Sequence, residues 1–180
     1  MKMFYCNGKK GFCKSGECPV DCEFFDNSGG EYTEVPETTG TPKLRVVLDE
    51  GAFMPTRAHK LDAGLDLYSP VDAVVYHDDS LIIDTGVHVA IPAGYVGMVK
   101  SKSGLNVKYG IQSEGVIDAG YTGSICVKLY NHGNSAVSIQ KGQKISQLVI
   151  LPIITPELEL VDSLEETERG NGGFGSTGAF

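Results

Sequence analysis

Residues 81–91 read LIIDTGVHVAI, and this stretch decides the fold class. Val87, Val89 and Ile91 alternate with polar or small residues, which is the pattern of a strand with one buried face. The same alternation recurs in residues 125–129, ICVKL. No helical repeat longer than a few turns accompanies either stretch, so both are expected to be β-strands.

Short runs of the same kind recur outward from this stretch, from residue 43 to about residue 156. Turn signals separate them, among them residues 92–94, PAG, and residues 141–142, KG. Many short strands with regular turns indicate a sandwich, a jelly roll or a barrel. The sequence therefore predicts an all-β core at residues 43–156.

The composition describes one compact domain with a short appendage. The chain has 180 residues, of which 41% are hydrophobic, and 15 Lys and Arg against 23 Asp and Glu give a formal charge of −8. No cluster of Lys or Arg is present, which disfavours nucleic acid as the main partner. The longest apolar stretches, such as residues 147–154, are too short to cross a bilayer, and the N-terminus lacks an apolar signal core. We expect a cytoplasmic protein without membrane contact.

The N-terminal segment, residues 1–26, is rich in cysteine. Closely spaced thiols bind a metal or form disulfides, and a chain without a secretory signal favours structural zinc over disulfides. The spacing matches no C-x2-C pair, so ordinary free thiols stay open as the alternative. Residues 27–42, rich in Gly, Thr, Pro and Glu, are predicted to be a linker. The four clustered cysteines are Cys6, Cys13, Cys18 and Cys22.

The C-terminal segment, residues 157–180, changes composition again. Residues 157–168 hold six acidic residues and no basic one, and residues 169–178 read RGNGGFGSTG. Such a tail cannot bury enough apolar surface to fold alone. Its Arg, Phe, Ser and Thr are nevertheless the groups needed to wrap a phosphorylated aromatic ligand. The segment is therefore either a disordered end, which composition alone favours, or an arm that a ligand orders.

Five segments carry the candidate chemistry, because they combine carboxylates, cations and hydroxyls with glycine turns that free backbone N–H groups. They are residues 62–67, DAGLDL; residues 101–105, SKSGL; residues 115–123, GVIDAGYTG; residues 141–148, KGQKISQL; and residues 169–178, RGNGGFGSTG. In this order and spacing they resemble the five motifs of the trimeric all-β dUTP pyrophosphatases (dUTPases). The resemblance runs from about residue 52 to residue 178.

This resemblance implies a homotrimeric jelly roll, or distorted β-barrel, with active sites at the subunit interfaces and a flexible glycine-rich C-terminal arm. It implies a hydrolase that uses Mg²⁺ to convert dUTP to dUMP and pyrophosphate. Such an enzyme limits uracil incorporation into DNA and supplies dUMP for dTMP synthesis.

The resemblance also implies the nucleoside contacts. Asp118 would activate the attacking water and contact the 3′-hydroxyl. Tyr121 would pack under the deoxyribose where a ribose 2′-hydroxyl would clash, and Phe174 would cover uracil. Backbone groups of the same hairpin would read the uracil edge and leave no room for a thymine methyl. These backbone groups belong to Gly115, Val116 and Ile117.

The phosphate contacts are implied in the same way, and Asp66 would hold a water of the Mg²⁺ shell. An acidic protein binds a tetra-anion only if Mg²⁺ and local cations neutralise it. Closure of the arm would then exclude other water. The implied phosphate-binding residues are Lys102, Ser103, Gly104, Gln147, Arg169, Ser176 and Thr177.

The chain departs from the family pattern at two motifs. The second motif usually has Arg where this chain has Lys102, and a lysine is a point charge that cannot form the bidentate fork. The fourth motif often has an acidic and a basic residue where Gln143 and Lys144 stand, a change we expect to be minor. The first forty residues have no counterpart in the family core.

Two rival functions compete with dUTP hydrolysis. A dCTP deaminase shares the fold, but that family places Glu where Lys128 stands and tends to have Phe at the position of Tyr121. A regulatory protein could instead use a dUTPase body to present its Cys-rich module to an unknown partner. The intact set of Asp118, Tyr121, Arg169 and Phe174 argues that catalysis is retained.

Overall fold

The computed structural model describes residues 3–6, 11–14 and 43–173, and the chain divides into two compact units, Met1–Pro42 and Lys43–Phe180. In the first unit, strand β1 (Met3–Cys6) pairs antiparallel with strand β2 (Gly11–Lys14), and Phe4 stands opposite Cys13. Cys18 and Cys22 lie outside the described residues, so zinc binding by the four cysteines stays a prediction.

The described part of the second unit, residues 43–173, consists of short strands and one short helix. The predicted all-β core is confirmed. The seven-residue helix was not predicted: it begins within the second motif, residues 101–105, where a turn was expected. The elements are β3 (Arg45–Leu48), β4 (Gly64–Tyr68), β5 (Ala73–Val75), β6 (Ser80–Asp84), β7 (Val87–Ala90), β8 (Tyr95–Ser101), α1 (Ser103–Tyr109), β9 (Ile111–Gln112), β10 (Glu114–Ile117), β11 (Cys126–Asn131), β12 (Val137–Ile139) and β13 (Lys144–Pro152).

These strands form small antiparallel sheets around one apolar core. The largest has the order β10-β8-β13-β4, and smaller sheets have the orders β6-β11-β9, β12-β5 and β3-β7. The connections join strands from different sheets, which is why residues far apart in sequence face each other. No helix in the described part of the chain is long and apolar enough to cross a membrane.

The alternation that predicted the strands is present in the core. Ile125, Val127 and Leu129 are each fully buried. Cys126, which lies between two of them, is exposed. The reason is the strand period of two, which turns Cys126 to the opposite face from its buried neighbours.

The register of the four-stranded sheet positions the candidate site. Gln147 on β13 stands opposite Asp66 on β4 and, on its other side, opposite Lys100 on β8. At the other end of β8, Gly97 stands opposite Ile117 on β10. The first, fourth and second motifs thus meet at one end of β8. The third motif starts at Gly115, opposite Val99, and runs along β8 toward its other end, where Asp118 follows Ile117.

Candidate active site

Asp66 lies between two lysine ammonium groups. Its Oδ1 accepts a hydrogen bond from Lys102 Nζ at 2.6 Å, and its Oδ2 accepts one from Lys144 Nζ, also at 2.6 Å. The Asp66 side chain is only 5% exposed, whereas the side chains of Lys102 and Lys144 are 28% and 41% exposed. We call these three residues the lysine cluster. With two cations and one anion it carries a net positive charge that is open to solvent.

The surroundings of Asp66 keep it ionised. Burial raises the pKa of Asp66, but the hydrogen bonds and charges of Lys102 and Lys144 outweigh burial, and the pKa lies below its usual value. The hydrogen bond to Asp66 raises the pKa of Lys144 in turn. Asp66 and Lys144 are therefore both charged at neutral pH.

Gln147 is held beside the lysine cluster. Its Nε2 donates to the carbonyl oxygen of Ser101 at 3.0 Å. A Cβ atom at Gly64 would overlap the Gln147 side-chain oxygen, so the absence of a side chain at Gly64 gives Gln147 its place. The predicted phosphate contacts Lys102 and Gln147 are therefore brought together, each with its polar end fixed by a neighbouring strand.

Ser103 and Gly104, the other two predicted phosphate contacts near Lys102, are the first residues of α1 and are exposed. A Cβ atom at Gly104 would meet nothing within 4 Å. Lys102 precedes the helix with an extended backbone, at φ −72° and ψ 122°. This arrangement leaves the surface beside the lysine cluster open to a ligand.

The oxygen atoms at this surface fit a magnesium ion that is bound through water rather than directly by the protein. Both oxygens of Asp66 already accept from lysine, and the described residues contain no group of three or more His, Cys, Asp or Glu that could hold a metal ion. Mg²⁺ in nucleotide sites keeps several waters and takes substrate phosphates as ligands. The residues present therefore fit an ion held mainly by phosphate oxygens and water, with Asp66 at its water shell.

The third motif forms a separate pocket of about 200 Å³. Asp118 and Tyr121 are both exposed in it, and a turn brings the Tyr121 N–H within 3.2 Å of the Asp118 carbonyl oxygen. The Tyr121 hydroxyl donates to the Ser124 carbonyl at 3.0 Å. We call this pocket the nucleoside pocket, and its lining residues are Val116, Ile117, Asp118, Tyr121, Ser124 and Cys126.

The segment from Asp118 to Ile125, which we call the nucleoside hairpin, is fixed on the turn between β6 and β7. The Ser124 hydroxyl donates to Asp84 Oδ1, and the Ile125 N–H donates to the Val87 carbonyl at 2.8 Å. The hydrogen bond from Ser124 is the main reason that the pKa of Asp84 lies below its usual value. The side of the pocket that Ser124 lines is thereby attached to the core.

The lysine cluster and the pocket lie far apart within one chain. Ile117, which precedes Asp118, pairs with Gly97, whereas Lys102 follows Ser101 at the other end of β8. The four-residue step from Gly97 to Ser101 spans about 13 Å, and one further residue at each end separates the Cα atoms of Lys102 and Asp118 by about 20 Å. Within one chain, the predicted base and the predicted phosphate contacts are therefore too far apart to act on the same phosphate group.

The C-terminal arm is only partly described. Residues 153–171 are exposed and contain neither helix nor strand. Arg169 lies in this stretch, and its Nε donates to the Gly172 carbonyl at 3.0 Å. Phe174, Ser176 and Thr177 lie outside the described residues, so the contacts expected of them stay predictions.

Sequence reasoning gave little weight to two residues that the structure places at these surfaces. Lys144, whose position in the fourth motif was expected to matter little, donates to Asp66. Cys126 lines the nucleoside pocket. The role of Lys144 could have been predicted from the family pattern, which often has a basic residue at that position. For Cys126 the strict alternation of its strand was a sufficient signal.

The comparison with known proteins finds a match to the dUTPase family model over residues 50–178. A deoxyuridine 5'-triphosphate nucleotidohydrolase of Clostridium tetani is 41% identical over 144 residues, which is 78% of this chain and 99% of that protein. One from Solanum lycopersicum is 42% identical over 145 residues, covering 79% of this chain and 86% of that protein.

Solved structures show the same likeness. The dUTPase of Staphylococcus bacteriophage 80alpha with dUPNHPP superposes with a TM-score of 0.72 at 37% identity, covering 77% of this chain and 99% of the other. A mutant dUTPase of the S. aureus phage phi11, described with a structural Mg(II) ion, has a TM-score of 0.65 at 35% identity, covering 69% of this chain and all of the other. The architecture of residues 43–152 is the jelly roll that these structures share.

Proposed function

The chain belongs to the dUTPase family, and on that premise we propose that it hydrolyses dUTP to dUMP and pyrophosphate with Mg²⁺. This reaction limits uracil incorporation into DNA and supplies dUMP for dTMP synthesis. The observation that carries the proposal is that residues from three separate motifs meet: the positively charged, solvent-open lysine cluster and, beside it, Gln147. A triphosphate is the part of dUTP that such a cluster suits.

The lysine cluster would bind and orient the phosphates. Triphosphate hydrolysis needs little covalent help from the protein, because positioning and charge stabilisation supply most of the acceleration. Lys102 and Lys144 offer two ammonium groups, and Gln147 offers an amide whose position is fixed. Ser103 and Gly104 adjoin them as further phosphate contacts. Mg²⁺, when bound with the substrate, would supply additional neutralisation of phosphate charge.

The pocket of the nucleoside hairpin would hold uracil and deoxyribose. Asp118 is an exposed carboxylate at its rim and is our candidate for the general base that takes a proton from the attacking water. Tyr121 offers a ring face for the sugar. Backbone groups of Gly115, Val116 and Ile117 would read the base, as the family resemblance implies.

We place each active site between copies of the chain. A general base must lie within hydrogen-bond reach of the water it activates, and about 20 Å separates Asp118 from Lys102 along the sheet. The cluster of one copy would therefore face the pocket of another in a homotrimer. The arm would then close over the nucleotide, with Phe174 on uracil and Arg169, Ser176 and Thr177 on the γ-phosphate.

The direct test is pyrophosphate release from dUTP, dTTP, UTP and dCTP in parallel, with Mg²⁺ and with excess EDTA. We expect rapid release from dUTP alone, and strong inhibition by EDTA. Release from all four nucleotides would contradict the role of the hairpin in selecting the base and sugar. Ammonia release from dCTP would favour the deaminase, and a folded oligomer inactive on every nucleotide would favour a binding protein.

A second experiment tests whether the site is shared. Lys102→Gln and Asp118→Asn each remove one half of the site, and the two inactive proteins are unfolded, mixed in equal amounts and refolded together. If each site takes its cluster and its pocket from different copies, random assembly restores about one quarter of the sites. Each variant refolded alone is the control. No recovery in the mixture would place both halves in one chain.

A further inference from the structure

His88 on β7 joins the nucleoside hairpin to the loop after β3. Its Nδ1 lies 2.8 Å from the carbonyl oxygen of Thr122, the residue after Tyr121. Its Nε2 lies 3.1 Å from Asp49 Oδ2. The His88 side chain is 26% exposed. Asp49 is itself anchored, because its N–H donates to the Gly86 carbonyl at 2.9 Å. The imidazole therefore bridges the carboxylate of a residue with an anchored backbone and a hairpin that carries two predicted site residues.

The two partners of His88 require a charged ring. A backbone carbonyl and an ionised carboxylate can only accept hydrogen bonds, so both ring nitrogens must donate. A neutral imidazole has one N–H, and an imidazolium has two. Both contacts can therefore exist together only when His88 is protonated.

The neighbouring charges favour the imidazolium. Asp49 lies on the β3 side of the ring and Asp84 ends β6, and both are negative. Arg45 on β3 lines the same cleft and is the opposing cation. The nucleoside hairpin presents the carbonyl oxygen of Thr122, and after Asp118 it has no side chain that is charged at neutral pH. The pKa of His88 lies above its usual value, mainly because of the hydrogen bond to Thr122 and secondly because of the one to Asp49.

Thr122 is attached to the core through His88 and lies nearer to Tyr121 than the other attachments of the nucleoside hairpin. Ser124 and Ile125 are already attached to the β6–β7 turn. Tyr121 is exposed and donates to Ser124 within the hairpin. Among the described residues, the hydrogen bond from the His88 side chain thus attaches Thr122, the neighbour of Tyr121, to the core.

We propose that protonated His88 is a positioning residue that holds Tyr121 in the nucleoside pocket by tying Thr122 to Asp49. The proposal rests on the proposed function, because it assigns Tyr121 to the sugar. When His88 loses its proton, one of the two contacts is lost and the hairpin loosens. Nucleotide affinity and discrimination against ribose should therefore weaken as pH rises through the pKa of His88, while the chemical step is less affected.

The experiment measures KM and kcat for dUTP and UTP between pH 5.5 and 9 in the wild type, His88→Ala and His88→Asn. Removing a tie of this kind should raise KM for dUTP about fivefold at low pH and reduce the preference for dUTP over UTP by a similar factor. The ratio of variant to wild type should fall toward one at high pH, where the wild type has lost the proton. Taking the ratio cancels the titration of the nucleotide itself.

The His88→Asn variant separates charge from contact. Its side-chain amide can donate to Thr122 at any pH but cannot become charged. At low pH its KM should lie between those of the wild type and His88→Ala, and across the pH range it should show no dependence on the histidine pKa. His77→Ala is the matched control, because His77 also bridges a carbonyl, that of Gly133 at 2.5 Å, and a carboxylate, that of Asp78 at 3.1 Å, away from the hairpin. It should behave as the wild type.

A measurement without turnover keeps this proposal distinct from the proposed function. In the nucleotide-free protein, NMR should show the backbone amides of Tyr121 and Thr122 titrating with the same pKa as the His88 ring, and no such titration in His88→Ala. Amides that do not follow the ring would overturn the proposal. A KM ratio that is flat across pH would overturn it as well. Coupled titration in a protein that hydrolyses nothing would refute the proposed function alone.

Discussion

Asp66 and Asp118 are both carboxylates of the candidate site, but their surroundings give them different capacities. Asp66 is almost completely buried, and both of its oxygens accept from lysine. A carboxylate in that position is a poor proton acceptor, because its charge is stabilised by two cations. Asp118 is exposed at the rim of a pocket, where a water molecule can reach it. Their surroundings therefore suit Asp66 to positioning cations and Asp118 to its proposed role as proton acceptor.

Replacing Asp118 tests this division. Asp118→Asn keeps the shape of the side chain but removes the base, so we expect kcat for dUTP to fall about a hundredfold or more. Binding of a non-hydrolysable dUTP analogue, measured by calorimetry, should be retained. Asp78→Asn is the control, because it neutralises another exposed carboxylate at a position whose φ of 57° suits Asn. Near-normal turnover in Asp118→Asn would remove that residue from its role.

At the scale of elements, the phosphate side of the candidate site depends on close packing between strands. β4, β13 and β8 are neighbours in one sheet, so Gly64, Gln147 and Ser101 meet although they lie far apart in sequence. The Gln147 amide lies over Gly64 and bonds to Ser101. Its position is therefore set by the sheet before any ligand arrives, which reduces the ordering cost of binding.

A methyl group at Gly64 should displace the Gln147 amide. In Gly64→Ala we expect kcat/KM for dUTP to fall about tenfold, because one hydrogen bond to a charged phosphate is lost. Gln147→Ala should lose a similar factor. The double variant should be no worse than Gln147→Ala alone, since both substitutions act on the same contact. Additive losses in steady-state kinetics would show that Gly64 acts by another route.

The turn between β6 and β7 should make a pH-dependent contribution to stability. The hydrogen bonds from Ser124 and then Gly86 hold the pKa of Asp84 below the value of 3.8 in the unfolded chain. This contribution is present above pH 3.8 and is lost as pH falls through the lower pKa of the folded state.

Asp84→Asn should therefore lower the free energy of unfolding by about 1 kcal/mol at pH 7, a modest value because solvent screens this exposed carboxylate. At pH 3 the difference between variant and wild type should be smaller. Urea unfolding at both pH values and at one protein concentration measures it. A difference that is equal at the two pH values would assign the loss to packing instead of charge.

At the scale of the whole molecule, the family match covers residues 50–178, and the chain divides after Pro42. The lysine cluster, the nucleoside pocket and the described part of the arm all belong to the second unit. The chemistry derived above uses no residue of the first unit. The two units should accordingly be separable in function.

Deleting residues 1–42 tests that separation. We expect the shortened chain to assemble and to hydrolyse dUTP with unchanged kcat and KM, because every assigned contact lies beyond residue 42. Size-exclusion chromatography with light scattering and the pyrophosphate assay measure the two properties. A shortened chain that loses assembly or turnover would show that the first unit takes part in the site.

The strands were predictable because their signal is local, whereas the site depends on register. The alternation at Val87 and Val89 can be recognised from a few consecutive residues. Helix α1 was missed because seven residues are too few to display a helical period. The motifs indicated Asp66 and Lys102 separately, but their contact follows from strands that pair across long stretches of chain. Lys144 was underestimated for the same reason.

The placement of the two half-sites at opposite ends of β8 has a consequence for how the protein responds to dilution. If catalysis requires neighbouring copies, specific activity falls once the chain concentration drops below the dissociation constant of its own assembly, although every chain stays folded. A nucleotide that touches two copies binds the assembly and not the free chain, so it shifts association in favour of the working form. Substrate supply and enzyme assembly would then reinforce each other.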